Sequence, residues 1–202
     1  MHVAQRSAFA AVVAAALATP AAAQQAEKFP TKPVRFVVGF SPGSATDFTG
    51  RVFAEKLSAI WGQPVVIENR SGAGSTLASA MVAQAAPDGY TLLVVSTSFA
   101  ITAVLQGKSL PYDAIRDFRA VSQFGSTTGA LVVPPSLGVK SVKEMIALAK
   151  EKRLLFGSAG AGSGLHMSTE RFNLIAGIKA THVGFKGQPE ALAVTPQAIA
   201  EI

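Results

Sequence analysis

The chain has 202 residues, carries a formal net charge of +6 and contains no cysteine. The lack of cysteine excludes disulfides, thiolate catalysis and thiolate-bound metals. Lys and Arg are scattered rather than gathered into the basic, aromatic-lined surface that binds nucleic acid.

The first 23 residues have the features of a secretory signal peptide. A weakly basic start with Arg6 precedes a run of small apolar residues, 8–17, and Thr19-Pro20 ends that run. The segment Ala21-Ala22-Ala23 then supplies an A-x-A cleavage site. We therefore expect cleavage near Ala23 and export. After this leader, no stretch approaches the roughly 20 apolar residues of a membrane-spanning helix.

Strand and helix patterns alternate along the next part of the chain. The sequence predicts a strand at 34–40, a helix at 46–60, a strand at 65–68, a helix ending near 85 and a strand at 91–96. Gly62 stands where a helix C-cap belongs, and Pro87-Asp88-Gly89 predicts a turn. Continuously apolar strands separated by helices indicate an α/β fold with a parallel sheet covered on both faces.

The regular pattern lapses between residues 97 and 118 and then resumes. The predicted elements are strands at 120–124 and 130–133, a helix ending at 150, a strand at 154–157, a helix at 165–176 and a strand starting at 182–185. Ser141 and Glu144 form a capping box at the start of the first of these helices. We take the irregular stretch as a domain crossing, with a first α/β lobe at 24–100, a crossing segment at 101–119 and a second lobe at 120–202.

Two loops repeat one design, in which a strand runs into a Gly/Ser-rich turn and then a helix. They lie at 41–47 and 158–166. Such a turn directs unpaired backbone N–H groups outward at the positive end of the helix dipole, where anions and carboxylates bind. A single loop of this kind is commonly a simple chain reversal. Two of them, one on each side of a domain crossing, favour a ligand cleft at the carboxyl ends of the strands.

Two other motifs offer alternatives. Residues 39–43 match G-x-S-x-G, which would make Ser41 the nucleophile of a serine esterase. Pro42 argues against this because it lacks the N–H that an oxyanion hole takes from the residue after the nucleophile. Residues 72–77 begin like a dinucleotide-binding loop, but Leu77 stands in place of the third glycine.

Two titratable residues of these loops have open roles. We expect Asp47 to be structural, because a negative charge is favoured in the first turn of a helix. His166 either touches a ligand or bonds nearby backbone. The three histidines, one of them in the leader, do not make a metal site.

Several motifs follow one another in an order that is characteristic of one family. They are 29–35 (Phe-Pro-Thr-Lys-Pro-Val-Arg), 41–47, 62–70 (Gly-Gln-Pro-Val-Val-Ile-Glu-Asn-Arg), Gly72-Ala73-Gly74, 86–93 (Ala-Pro-Asp-Gly-Tyr-Thr-Leu-Leu), Leu110-Pro111-Tyr112-Asp113, 158–166 and Val183-Gly184-Phe185-Lys186-Gly187. With these motifs the chain resembles the Bug-type extracytoplasmic solute receptors, the substrate-binding proteins of tripartite tricarboxylate transporters. The resemblance extends from Phe29 to Leu192.

The resemblance implies a monomeric periplasmic binding protein with two α/β lobes, without catalysis or cofactor. It would capture a small carboxylate and deliver it to the membrane components of a tripartite tricarboxylate transporter. Carried over by position, the ligand-binding residues on one side are Ser41, Gly43, Ser44, Ala45, Thr46 and Asp47. Those on the facing side are Ser158, Ala159, Gly160, Gly162, Ser163 and His166, and Thr97 and Ser98 are expected to form a wall.

The chain departs from the family pattern in two places. The family often has Pro-Gly-Gly in the first turn, where this chain has Pro42-Gly43-Ser44, and we expect the extra side chain to alter the fit of the ligand. Family members also continue for about a hundred residues more, a substantial part of a domain. We therefore expect a C-terminally truncated receptor with an incomplete second lobe, and a non-functional remnant of such a receptor is the alternative.

Overall fold

The computed structural model describes residues 28–126 and 128–198, with side chains up to residue 194. The predicted signal peptide and its cleavage site lie outside the described residues. The chain divides into a unit ending at Thr31 and a unit beginning at Lys32, and every element below belongs to the second unit. Within the described residues, no helix is both long and apolar enough to cross a bilayer.

The first part of the chain builds a three-stranded parallel sheet. Its elements are β1 (Val34–Val38), α1 (Ala45–Trp61), β2 (Val65–Asn69), α2 (Thr76–Ala83) and β3 (Thr91–Val94). The strand order is β2-β1-β3, and β1 is parallel to both neighbours. The predicted parallel sheet with intervening helices is therefore confirmed.

The core of this sheet forms where apolar residues of β1 meet α1. Phe36 and Val38 of β1 pack with Ala54 of α1 and Val94 of β3, all of them buried. The end of α1 is the predicted one, because Gly62 adopts a left-handed conformation and its N–H donates to the Ser58 carbonyl at 3.0 Å.

The stretch after β3 is more regular than predicted. A helix, α3 (Ser98–Gln106), occupies its first part, so the prediction of irregular structure there is wrong. This helix carries no charged residue and therefore shows no amphipathic pattern, which is the main sequence signal for a helix. Its Thr102 hydroxyl donates to the Ser98 carbonyl at 2.9 Å, and Gly107 follows its last residue.

The strands predicted at 120–124 and 130–133 are also wrong. The described residues of both stretches are irregular, and Leu131 and Val132 are exposed. A strand requires a neighbour for its ladder of hydrogen bonds, and neither stretch pairs with another described strand. Phe124 explains part of the apolar character, since its ring stacks on Phe53 of α1 with centroids 4.0 Å apart.

The second part of the chain builds a two-stranded parallel sheet. Its elements are α4 (Val142–Glu151), β4 (Leu155–Ser158), α5 (Gly164–Ala176), β5 (Thr181–Gly184) and α6 (Gln188–Ala198), with β4 parallel to β5. The predicted capping at the start of α4 is confirmed: the Glu144 N–H donates to Ser141 Oγ at 3.2 Å. The Glu144 carboxylate accepts from the Lys140 N–H at 2.8 Å.

Because the strands within each sheet are parallel, the loops that follow them leave at the same edge. In the first sheet these are the loops β1–α1, β2–α2 and β3–α3. In the second sheet they are β4–α5 and β5–α6. The loops predicted to bind a ligand are members of these two sets.

Candidate functional site

The β1–α1 turn is held by a buried carboxylate. Asp47 is 2% exposed; its Oδ2 accepts from the Gly43 N–H and from Arg51 Nε, both at 2.9 Å, and its Oδ1 accepts from Asn69 Nδ2 at 2.8 Å. Burial by itself would raise the pKa of Asp47, but the hydrogen bonds from Arg51, Asn69 and Gly43 outweigh it and lower that pKa. Asp47 is therefore ionised and fixes the turn, which is the structural role expected for it.

The turn leaves the first N–H of α1 available to a partner from elsewhere in the chain. Ser44 caps the helix, because its Oγ accepts from the Asp47 N–H at 3.2 Å. The Ala45 N–H donates instead to Oε1 of Gln188, the first residue of α6, at 3.1 Å. A neutral amide oxygen thus occupies a position where the helix dipole favours an anion.

The Ser41 side chain is buried near this point, and its hydroxyl makes no hydrogen bond with the described residues. The residue is 8% exposed, and its Oγ has no partner among the described residues. It lies against Gly187 so closely that a Cβ at that glycine would overlap the hydroxyl. A buried hydroxyl without a partner costs about 1–3 kcal/mol, so it points to a group that the described residues do not supply.

Two further buried hydroxyls without partners among the described residues, Ser75 Oγ and Thr76 Oγ1, lie where the β2–α2 loop meets the start of α2. The backbone of this loop is strained, because Ala73 and Ser75 have φ values of 47° and 80° without being glycine. Gly74 between them approaches the second sheet, and a Cβ there would lie 2.6 Å from the Ala161 carbonyl oxygen. The β2–α2 and β4–α5 loops are therefore in contact.

The β4–α5 loop is organised around two histidines. Ser158 is 1% exposed, and its Oγ lies 2.7 Å from His182 Nε2 on β5. The rings of His182 and His166 are 3.9 Å apart between centroids, and His166 Nδ1 accepts from the Gly162 N–H at 3.2 Å. Burial lowers the pKa of His182, the electrostatic interaction with the neighbouring His166 ring lowers it further, and the Glu170 carboxylate opposes both.

The remaining predicted residues have defined places in these loops. Ser163 caps α5 by accepting from the His166 N–H at 3.2 Å. The Gly160 carbonyl accepts from Ser158 Oγ at 3.2 Å. A Cβ on Gly164 would lie 2.7 Å from Thr97 Oγ1, so Thr97, one of the two predicted wall residues, lies against the start of α5. Ala159 and Ser98 are buried, and Thr46 lies in the first turn of α1.

Each loop of the first sheet that carries predicted residues contacts a particular segment of the second part of the chain. The β1–α1 turn meets residues 187–189 of the β5–α6 connection. The 158–166 loop meets Gly74 and Thr97. That these residues hold a ligand stays a prediction.

The sequence analysis did not predict that Gly187 and Gln188 contribute to the candidate site at the carboxyl ends of the strands. A signal was present, since a strand, a glycine and then Pro189 repeat the strand–turn–helix design, and Pro favours the start of a helix. Ser75 and Thr76 were missed as well. A serine in the left-handed region has no sequence signal, because its conformation is imposed by the surrounding structure.

The chemistry available here is hydrogen bonding by hydroxyls and N–H groups. Among the described residues no group of three His, Asp or Glu side chains could hold a metal ion. The polar contacts found for the two described histidine rings go to Ser158, Gly162 and Glu170 rather than to Ser41. The serine–histidine pair that does form, Ser158–His182, has its serine buried.

Comparisons with known proteins place this geometry in context. Residues 49–197 match the model of the tripartite tricarboxylate transporter family receptor. A UPF0065 protein of Cupriavidus necator is 36% identical over 95% of this chain and 59% of its own length. Protein BugT of Bordetella pertussis is 36% identical over 85% of this chain and 54% of its own. The chain thus spans somewhat more than half the length of these relatives.

Solved structures show the same fold. A periplasmic transporter aligns with a TM-score of 0.80 and 35% identity, over 83% of this chain and 57% of its own. An R. palustris protein solved with adipate gives 0.72 and 31%, over 84% and 57%. MatC from Rhodopseudomonas palustris, with bound malate, gives 0.71 and 32%, over 83% and 57%.

Proposed function

The chain belongs to the tripartite tricarboxylate transporter receptor family, and from that premise we propose that it is a periplasmic solute-binding receptor for a small carboxylate. Solved relatives carry adipate and malate, which supports a dicarboxylate. The receptor would act by binding alone and present its ligand to the membrane components of a transporter.

The start of α1 is the observation that carries this proposal. An oxygen atom already accepts from the Ala45 N–H there, and the Ser41 hydroxyl beside it is buried and unpaired among the described residues. A carboxylate has two oxygens, and we propose that one accepts from the Ala45 N–H and the other from the Ser41 hydroxyl. Its negative charge is stabilised by the helix dipole by typically 0.3–1 kcal/mol, and by up to about 2 kcal/mol when partly buried.

The proposed site uses the residues carried over from the family. The β1–α1 turn supplies Ser41, Gly43, Ser44, Ala45 and Thr46, and Asp47 holds the turn in place. The 158–166 loop, with Ser158, Ala159, Gly160, Gly162, Ser163 and His166, forms the other side, next to Thr97 and Ser98. Backbone and hydroxyl donors of this kind recognise the carboxylate group and leave selectivity to the length of the ligand.

Replacing Ser41 by alanine tests the proposal. Ser41→Ala removes a hydroxyl without a folded-state partner, so we expect an unchanged or higher melting temperature. We expect malate and adipate to bind about tenfold more weakly, a change that corresponds to about 1.4 kcal/mol. Isothermal titration calorimetry measures the affinity, and circular dichroism measures the melting temperature.

Ser58→Ala, in the helix α1 that follows Ser41, is the matched control. The Ser58 hydroxyl accepts from the Val65 N–H at 2.8 Å and donates to the Ala54 carbonyl at 2.6 Å, so its loss lowers the melting temperature without changing the affinity. The proposal fails if the wild-type protein binds no member of a panel of di- and tricarboxylates. Equal binding by wild type and Ser41→Ala would remove Ser41 from the site.

A further inference from the structure

Three contacts join the β1–α1 turn and the first residue of α1 to residues 187–189 at the start of α6. The Ala45 N–H donates to Gln188 Oε1 at 3.1 Å. Gly43, at φ +79°, faces Pro189, whose Cγ would lie 3.5 Å from a Cβ at that glycine. Gly187 is buried and lies directly against Ser41 Oγ. The amide of Gln188 is therefore held at the amino end of α1 by its neighbours on both sides.

The Gln188 amide forms a hydrogen bond with only one of the two donors at the start of α1. Its oxygen takes the Ala45 N–H, whereas the Ser41 hydroxyl faces a glycine and has no acceptor among the described residues. Ser41 is more than nine-tenths buried, so solvent has little access to its hydroxyl. The amino end of α1 and the unpaired Ser41 hydroxyl are two independent observations. Both point to a ligand whose oxygen atoms take the place of the Gln188 amide.

We propose that Gln188 is an internal competitor for the ligand carboxylate. In the ligand-free protein its Oε1 occupies the Ala45 N–H, and it leaves when a carboxylate binds there. This role rests on the proposed function, because it requires a carboxylate at the start of α1. Gln188 thereby sets the affinity: the larger the fraction of molecules in which it occupies the donor, the weaker the apparent binding.

A carboxylate prevails in this competition for a physical reason. A hydrogen bond to an ionised oxygen is roughly twice as strong as one to a neutral amide oxygen. The ligand also pairs the Ser41 hydroxyl, which Gln188 leaves unpaired. The competitor therefore lowers the affinity without preventing binding.

Gln188→Leu removes the competing oxygen and keeps a side chain of similar size. An ordinary hydrogen bond corresponds to a roughly two- to tenfold change in an equilibrium constant. We expect the Gln188→Leu protein to bind malate and adipate more tightly by a factor in this range. Gln106→Leu, at an exposed glutamine at the end of α3, is the control and leaves the affinity unchanged.

Ala45→Pro tests the shared donor. Ala45 is the first residue of α1, where proline is tolerated because the helix does not use that N–H. Ser44, at φ −68° and ψ 158°, already has the extended backbone that precedes proline. We expect Ala45→Pro to weaken binding about tenfold, the effect of losing about 1.4 kcal/mol. In this background Gln188→Leu has no further effect, because ligand and amide no longer compete for a donor.

Calorimetry with malate and adipate on the four proteins of this cycle decides the proposal. Tighter binding by Gln188→Leu that disappears in the Ala45→Pro background supports it. Weaker binding by Gln188→Leu would make Gln188 a direct ligand contact, and unchanged binding would leave it without a role; either result overturns the proposal. If no protein of the cycle binds any carboxylate, the proposed function fails and this role fails with it. Should Ala45→Pro not fold, Gln188→Leu alone still decides between these outcomes.

Discussion

The serine residues at the carboxyl edges of the two sheets have different roles. Ser44 and Ser163 cap the helices that follow them, and Ser158 is bonded to His182. The Ser41 hydroxyl has no partner among the described residues. The sequence predicts a polar turn in both loops, but it cannot distinguish a capping hydroxyl from an unpaired one. That difference depends on which backbone packs against the hydroxyl in the folded chain.

His182 makes the stability of the protein depend on pH. Its pKa in the folded protein is below the ordinary value of 6.5, first because of burial and then because of His166. Above that ordinary value both the folded and the unfolded chain hold His182 neutral. As the pH falls below it, the unfolded chain binds a proton that the folded chain resists, so the free energy of unfolding decreases until the pH reaches the folded pKa.

We therefore expect His182→Gln to lose less stability than wild type when the pH falls from about 7.5 to about 5.5. Glutamine keeps a hydrogen-bonding partner for Ser158 but has no proton to bind. Urea denaturation at the two pH values measures the difference. A wild-type free energy of unfolding that is the same at both would contradict the lowered pKa.

At the scale of elements, the sequence predicts the alternation of strands and helices well and fails where the usual signals are missing. β1, α1 and the Gly62 cap follow from apolar periodicity and glycine placement. α3 was missed because it has no charged face. The pairing of the loops could not be predicted either, since it depends on contacts between residues more than a hundred positions apart, such as Ala45 and Gln188.

Two glycines with nearly the same backbone test the contact between the β2–α2 and β4–α5 loops. Gly62 and Gly74 have φ values of 66° and 62°, so alanine at either position carries the left-handed strain of about 1–2 kcal/mol. A Cβ on Gly62 has no neighbour within 4 Å, whereas one on Gly74 would lie 2.6 Å from the Ala161 oxygen. We expect Gly74→Ala to cost at least about 1 kcal/mol more than Gly62→Ala because of this overlap.

Denaturant unfolding of the two variants provides the comparison, with the wild-type protein as reference. Gly62→Ala supplies the cost of the backbone conformation alone. Equal losses in both variants would mean that the two loops are not packed against each other in solution.

At the scale of the whole molecule, the main question is where the two parts of the chain divide. The crossing predicted at 101–119 stays a proposal. Phe124 lies beyond it, yet its ring stacks on Phe53 and lies 6.1 Å from the Phe36 ring in the core of the first sheet. The chain after the predicted crossing thus returns to the first sheet before it builds the second. This return could not be predicted, because a single aromatic residue in an irregular segment has no periodicity.

Phe124→Ala tests this attachment. Removing a stacked, partly buried ring is expected to cost about 2–3 kcal/mol, somewhat less than for a fully buried phenylalanine. Val121→Ala, at a side chain that is 78% exposed, is the control and changes the free energy of unfolding by less than about 0.5 kcal/mol. If both variants unfold at the same denaturant concentration as wild type, the segment is not attached to the first sheet.

The parallel arrangement of the strands separates two tasks within the chain. The loops after the strands hold the proposed site, while the connections before them, such as those at Gly62 and Gly177, only reverse the chain. The buried residues of β1 lie between these two edges and contribute to the core alone. A descendant of this protein could therefore acquire a new ligand by substitutions along one edge, while the residues that determine its folding remain unchanged.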